Sequence, residues 1–309
     1  MQKIKAQSDL TVQLQKIIAG SRLLLDEPMS KHTTFRIGGP ADYLVLPSSA
    51  REVAAVLATA GERGVPVTIL GNGSNVLVRD KGIRGLVVKF DAAAMGYISH
   101  NATTVKAGAG AALGAVARYA GDHHLTGLEF AVGIPGSIGG AVFMNAGAYD
   151  GEVGSFVAAV TAVCPDGRLR RFAHADIRFG YRDSVFQHNG CIICEVELAL
   201  AAGDAAAIAK RMSDYTSRRI AKQPIEMPSA GSTFKRPPGY FAGTLIEQAG
   251  LKGFRIGGAQ VSEKHAGFIV NAGGATAEDV LDLIREVQRR VLERFGVRLQ
   301  PEVRIFGEE

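Results

Sequence analysis

Three glycine-rich stretches mark places where backbone, rather than side chain, could meet a ligand. Without a Cβ, a tight turn takes positive φ and aims its N–H groups at a phosphate. Gly71-Asn-Gly-Ser-Asn75, directly after the run VTIL, is one such turn. It has neither the lysine and spacing of a P-loop nor the G-x-G-x-x-G pattern, so read alone it is simply a turn. In Gly108-Ala-Gly-Ala-Ala-Leu-Gly114 the third glycine comes one residue late, and no parallel strand with a well-placed acid follows. That argues against a dinucleotide-binding Rossmann unit. The third stretch, GLEFAVGIPGSIGGAVFMNAGAY from Gly127 to Tyr149, is the most informative. Its glycines and Pro135 force turns while Ile134, Ile138 and Val142 keep it apolar, a combination suited to wrapping a ring system and a diphosphate. A purely structural buried loop must satisfy its own backbone polar groups, which is rare. The candidate cofactor residues are therefore Gly71, Asn72, Gly73, Ser74 and Asn75, with Gly133, Ile134, Pro135, Gly136, Ser137, Gly139, Gly140 and Asn145.

Individual side chains are more ambiguous. Arg182 adjoins Asp183 and reads either as a solvated turn residue or as a bidentate grip on a carboxylate, for which arginine is suited. Ser232 is a serine in a glycine loop. Strand alternation sets Glu302 with Arg298, Gln300 and Arg304, opposite Val297, Leu299, Val303 and Ile305. That face is either solvated or turned into a cleft. His123, His124 and His265 have no metal-ligand spacing with nearby acids, so no metal site is expected.

The elements that must carry these residues follow from periodicity. Ser49 and Glu52 read as a capping box opening a helix with Val53, Val56, Leu57 and Ala60 on one face. Short β-rich runs alternate with it: VPVTIL, VLV, GLVVKF and TTVKAGAG. A helix is expected from about Leu113 to His123, and two runs meeting at Asp166-Gly167 signal a hairpin. CIICEVELAL reads as a buried strand, and a helix from about Asp204 to Lys222 stops before Pro224. The composition changes there, placing a domain boundary near 205–225. Thr276 and Asp279 cap a last helix with Val280, Ile284, Val287, Val291 and Phe295 on its apolar face, closed by Gly296. VRLQPEVRIF is a terminal strand. The pattern is α+β or α/β.

Composition excludes several classes. At 309 residues, 47% hydrophobic and 21% charged, the chain can bury a core and is far from disordered. Its net charge of +5 is spread without a basic block or aromatic platform, so nucleic-acid binding is not expected; the balance equally suits a pocket for anionic small molecules. No stretch approaches 18 apolar residues and the N-terminal run is broken by Lys, Gln and Asp, so neither a membrane span nor a signal peptide is expected. Cys191 and Cys194, three apart on one strand, face opposite ways, and three cysteines make no paired framework. A reduced, cytoplasmic chain is the expectation.

In collinear order, TTFRIGGPADYLVLP, ILGNGSNVLVRD, the Gly127–Tyr149 stretch, GYRDSVF, AGSTFKRP, AGLKGFRIGGAQVSEKHAGFIVN and LQPEVRIF resemble the UDP-N-acetylenolpyruvoylglucosamine reductases, also called UDP-N-acetylmuramate dehydrogenases. The likeness runs from about Ser30 to Phe306. It implies a two-lobed α+β FAD-binding fold of the vanillyl-alcohol oxidase type (1–95 and 96–210), a substrate domain (211–296) and a terminal strand (297–309) carrying Glu302. It also implies non-covalent FAD, NADPH as hydride donor, and a role in peptidoglycan precursor synthesis. By the same resemblance Ser232 is the proton donor, Arg182 and Glu302 orient and stabilise an enolate, and Lys235, Arg236, Lys252, Gln260 and Lys264 meet the UDP-sugar. No obligate protein partner is implied. Many members have Asn where Arg236 stands, and the roughly 45 residues between GYRDSVF and AGSTFKRP leave no room for the extra segment with a lid tyrosine, so the chain resembles the shorter, second type. The alternatives are another FAD-dependent oxidoreductase on the same fold, or a UDP-sugar sensor without turnover.

Overall fold

The computed structural model describes residues 2–309. Two compact units are present. One comprises the chain up to Leu25, Tyr43–Asn72 and Gly85–Ser217; the other comprises Asp26–Asp42, Gly73–Arg84 and Arg218–Glu309. Contiguous pieces were expected from the sequence, whereas each unit draws on three separated stretches. The helices are α1 (Gln2–Ile17), α2 (Ala50–Glu62), α3 (Leu113–Asp122), α4 (Ile138–Phe143), α5 (Ala205–Lys222), α6 (Ala242–Gln248) and α7 (Ala277–Phe295), apart from single turns. None of the described helices is long and apolar enough to cross a membrane.

The first unit packs its helices against a five-stranded antiparallel sheet in the order Leu169–Ala173, Val157–Val163, Ile192–Ala199, Thr104–Gly108, Ile98–Asn101. The hairpin forms at Asp166-Gly167 as expected, with Gly167 at φ 76° and Asp166 Oδ1 accepting from the Arg168 amide. Leu113, Leu128, Ile138, Ile177 and Leu198 are fully buried at its centre. On α2, Val53, Val56 and Ala60 are buried and Leu57 half-buried. The capping box there is only half made. Ser49 Oγ accepts from the Glu52 amide at 3.2 Å, but the Glu52 carboxylate accepts from Ser48 N–H and from both Nη atoms of Arg22, at 2.6 and 2.9 Å. Those bonds hold Glu52 down at about 2, the arginine being the largest cause.

The cysteines correct the expectation of three thiols. Cys164 and Cys191 form a disulfide, their Cα atoms 4.0 Å apart. They continue the antiparallel pairing of Val163 with Ile192 by one step, so two residues distant in sequence become cross-strand neighbours. Cys194 remains a thiol, and burial pushes it up to about 12.

The second unit has a four-stranded antiparallel sheet in the order Ser229–Ser232, Phe268–Asn271, Ala259–Val261, Arg255–Ile256. Helix α7 lays Val280, Ile284, Val287 and Val291 into its core. Its ends are as expected: Thr276 and Asp279 form a reciprocal capping box, and Gly296 closes the helix at φ 68°. The expected strand over 297–306 is shorter. Pro301 has no N–H to donate, and only Arg304–Phe306 forms a regular ladder, parallel to Val76–Val78. Leu299 and Val303 are buried as the alternation requires, while Ile305 is 39% exposed.

Candidate functional site

In the first unit, the Gly127–Tyr149 stretch is laced to the turn at 109–113. Ile138 N–H donates to Ala111 O, Gly139 N–H to Ala109 O, and Leu113 N–H to Gly136 O, at 2.8–3.0 Å. The near-miss glycine turn at 108–114 is thus the backing of this stretch. Ser137, fully buried, caps α4 by accepting from the Gly140 amide. Gly133, Ile134 and Gly136 are half-buried and Pro135 and Gly140 exposed, leaving this edge open to a ligand. Gly71 approaches the same edge so closely that a Cβ on it would lie 2.3 Å from Ser137 Oγ. Beside it Asn72 is half-buried.

Asn145 does something the sequence reading missed. It follows α4 at φ 44°, and its buried amide donates through Nδ2 to Gly180 O and accepts the Gly154 amide at Oδ1, both at 2.9 Å. Both ends of that side chain tie loops together. Gly180 opens the turn Gly180–Asp183, closed by reciprocal backbone bonds, in which Arg182 sits at φ 55°. One Arg182 Nη donates to Gly147 O at 3.4 Å.

The second unit brings Ser232 and Glu302 onto adjoining stretches. Glu302 N–H donates to Thr233 O and Lys235 N–H to Gln300 O, each at 2.8 Å, with Phe234 bridging Pro301. Ser232 therefore lies one residue from the partner of Glu302. A bulge separates the pairs Ser229–Val270 and Ser232–Phe268, and Gly231 absorbs it at φ 74°, a conformation that favours glycine. Ser232 is exposed and Glu302 half-buried. In this unit Gly73, at φ 63°, lies so close to His32 that a Cβ would be 2.3 Å from its carbonyl. Ser74 is half-buried. Asn75 Nδ2 donates to Glu302 O and Asn75 O accepts from Arg304 N–H, at 3.2 and 3.0 Å, so this residue of the glycine turn also anchors the Glu302 stretch.

The expected substrate residues divide. Lys235 and Arg236 follow Ser232 directly, and the Arg236 guanidinium lies 4.0 Å over the Phe241 ring, itself exposed. Lys252 pairs with Glu247 at 2.7 Å and Lys264 with Glu226 at 3.6 Å on the surface. Gln260 is buried; its Nε2 donates to Gly253 O and Glu263, and its Oε1 accepts from Arg255. It shapes a turn. His265 accepts the Gly267 amide at Nδ1, and burial pulls its pKa down.

The likenesses to known proteins cover both units. Residues 41–173 match the FAD binding domain family, and residues 223–306 match the C-terminal domain family of UDP-N-acetylenolpyruvoylglucosamine reductase. A reductase of that name from Alkaliphilus oremlandii is 49% identical over all of both chains. The one from Levilactobacillus brevis is 51% identical over 93% of this chain and 94% of its own. The crystal structure of the reductase from Thermus caldophilus is 35% identical and superposes with a TM-score of 0.78 over 92% of this chain and 98% of that one. The α+β, FAD-binding architecture anticipated from the sequence agrees with these matches. The chain belongs to the UDP-N-acetylenolpyruvoylglucosamine reductase family.

Proposed function

We propose that this chain reduces the enolpyruvyl ether of UDP-N-acetylglucosamine enolpyruvate to UDP-N-acetylmuramate, with Ser232 delivering the proton and Arg182 and Glu302 holding the charge that develops between the two transfers. As a family member it is an FAD- and NADPH-dependent oxidoreductase of peptidoglycan precursor synthesis. The residues present fit the flavin: Gly71 packs as bare backbone against Ser137, and beside it Pro135 and Gly140 are exposed while half-buried Ile134 offers an apolar contact. We assign Gly71 to Asn75, Gly133 to Ser137, Gly139 and Gly140 to its diphosphate and ring. When bound, reduced FAD supplies the hydride that NADPH provides.

The protein's own part is proton and charge. Adding hydride to one alkene carbon leaves electron density on the neighbouring carbon and the substrate carboxylate, and a hydroxyl must protonate that carbon. Ser232 is exposed on a strand that Gly231 bends, beside the stretch that carries Glu302. That adjacency is the observation that carries this reading. Arg182, a fixed planar cation, suits the carboxylate. Lys235 and Arg236 are assigned to the diphosphate, with Lys252 and Lys264 as further cations and Gln260 as the residue that shapes their turn. The four pieces 1–95, 96–210, 211–296 and 297–309 are retained as the functional division, with flavin in the first two and substrate in the third. The substrate is a cytoplasmic UDP-sugar, and no protein partner, nucleic acid or membrane is invoked.

The test is direct. The purified protein should hold FAD non-covalently, released by heat or acid, and should oxidise NADPH stoichiometrically with the enolpyruvyl substrate. A colourless protein that takes up no FAD, or NADPH consumption indifferent to that substrate, would contradict the reading.

A further inference from the structure

We propose that Gln187 and Asn145 are positioning residues for Arg182, fixing its backbone from the C-terminal end of α4; the proposal rests on the catalytic reading of Arg182. Arginine enters the left-handed region only when its surroundings over-determine it, since its Cβ crowds the backbone there. Arg182 sits at φ 55° between Tyr181 and Asp183 in the four-residue turn. The turn's own two bonds, Gly180 N–H to Asp183 O and Asp183 N–H to Gly180 O, measure 3.0 and 3.2 Å. Besides the Arg182 Nη bond to Gly147 O, two side-chain amides tie that turn to the rest of the unit.

Gln187 Nε2 donates to Arg182 O and to Phe143 O, both at 2.9 Å. Fully buried Ser184 adds a bond to the same Phe143 carbonyl at 2.8 Å. Phe143 is the last residue of α4, so its carbonyl is one of those a helix end leaves without an intrahelical partner. Two residues on, Asn145 closes the helix. Its own amide donates to Val142 O and the Ala146 amide to Ala141 O, the Schellman pattern with Asn in place of the usual glycine. Glycine would satisfy that backbone as well or better. The asparagine supplies in addition the Nδ2 bond to Gly180 O, the first residue of the arginine turn. The helix whose first turn carries Gly139 and Gly140 of the flavin stretch therefore grips, at its other end, both sides of Arg182. These bonds set where the guanidinium starts from; neither amide is assigned a contact with substrate or flavin.

The test uses the FAD-loaded protein. Gln187→Leu removes the two donated bonds, and Gln187→Lys restores a donor that can reach carbonyl oxygens. Flavin reduction by NADPH should be unchanged in both. Reoxidation by the enolpyruvyl substrate should slow about tenfold or more in Gln187→Leu and recover in Gln187→Lys, a displaced group losing this much without being removed. Amide exchange over residues 180–187 should rise in the first and return in the second. Asn145→Asp, which keeps the acceptor for Gly154 and loses the donor to Gly180, should follow Gln187→Leu in reoxidation and in amide exchange. In an Arg182→Ala background, Gln187→Leu should cost less than about twofold more, because residues acting through one another are not additive. An equal slowing in both backgrounds, or wild-type reoxidation and exchange in Gln187→Leu, overturns the proposal. Wild-type reoxidation in Arg182→Ala alone removes the catalytic reading itself, and the proposal with it.

Discussion

In the proposed function three side chains divide the work of one reduction: a hydroxyl that gives a proton, and a cation and a carboxyl group that answer charge. Groups aimed at developing charge typically contribute 10²- to 10³-fold each. Arg182→Ala and Glu302→Gln should each lower turnover by about a hundredfold or more with FAD content little changed; steady-state NADPH oxidation alongside flavin absorbance measures both. Wild-type turnover in the two variants would return them to ordinary surface residues. At this scale the sequence is legible for residue type and blind to direction. The motifs single out Asn145, Asn75 and Gln260 because all three lie in the matching segments. Only the fold reveals that the amides of Asn145 and Gln260 bond to neighbouring loops of the protein, and that Asn75 reaches the Glu302 carbonyl. Gln187 carries no signal in the sequence, since a glutamine just beyond a motif looks like any solvated polar residue. Its double donation depends on where a helix in another stretch happens to end.

Elements with a local cause were read well. Helix α7 has its capping box, its apolar face and its glycine stop, each decided by residues of the helix and its immediate ends. The elements read less well depend on distant partners. Glu52 was expected to complete a cap and instead binds Arg22, thirty residues away in sequence. This difference has a pH signature. The folded carboxyl is depressed from 4.5 to about 2, so its contribution is fully present above about pH 4.5 and is lost as pH falls through 2. Glu52→Gln should therefore destabilise the protein by about 1–2 kcal/mol near neutrality, the scale of a charge-assisted pair, with the gap closing toward pH 2. Urea unfolding across that range checks it, and a pH-independent gap would mean that packing rather than charge is lost. The Cys164–Cys191 pairing escaped for the same reason, since it needs the strand register.

Across the whole molecule, discontinuity is what a reading in chain order cannot see. Residues 26–42 and 73–84 join the C-terminal third in one unit, and Val76–Val78 supplies the strand alongside which Arg304–Phe306 lies. The stretch carrying Glu302 is thereby anchored by residues that directly follow the glycine turn. Parallel pairing between positions more than two hundred apart leaves no local mark in either segment. The collinear motifs nevertheless led to the family, because motif order survives whatever the fold does with it. The central claim is that Ser232 acts in the second of two half-reactions, and stopped-flow absorbance of the flavin in Ser232→Ala tests it most directly. Anaerobic bleaching by NADPH should proceed at nearly the normal rate, while reoxidation by the enolpyruvyl substrate should slow by about 10² to 10⁴, the range for removing a positioned acid. A variant slowed equally in both phases, or in flavin reduction alone, would contradict the account and leave Ser232 a residue that shapes the pocket without delivering the proton.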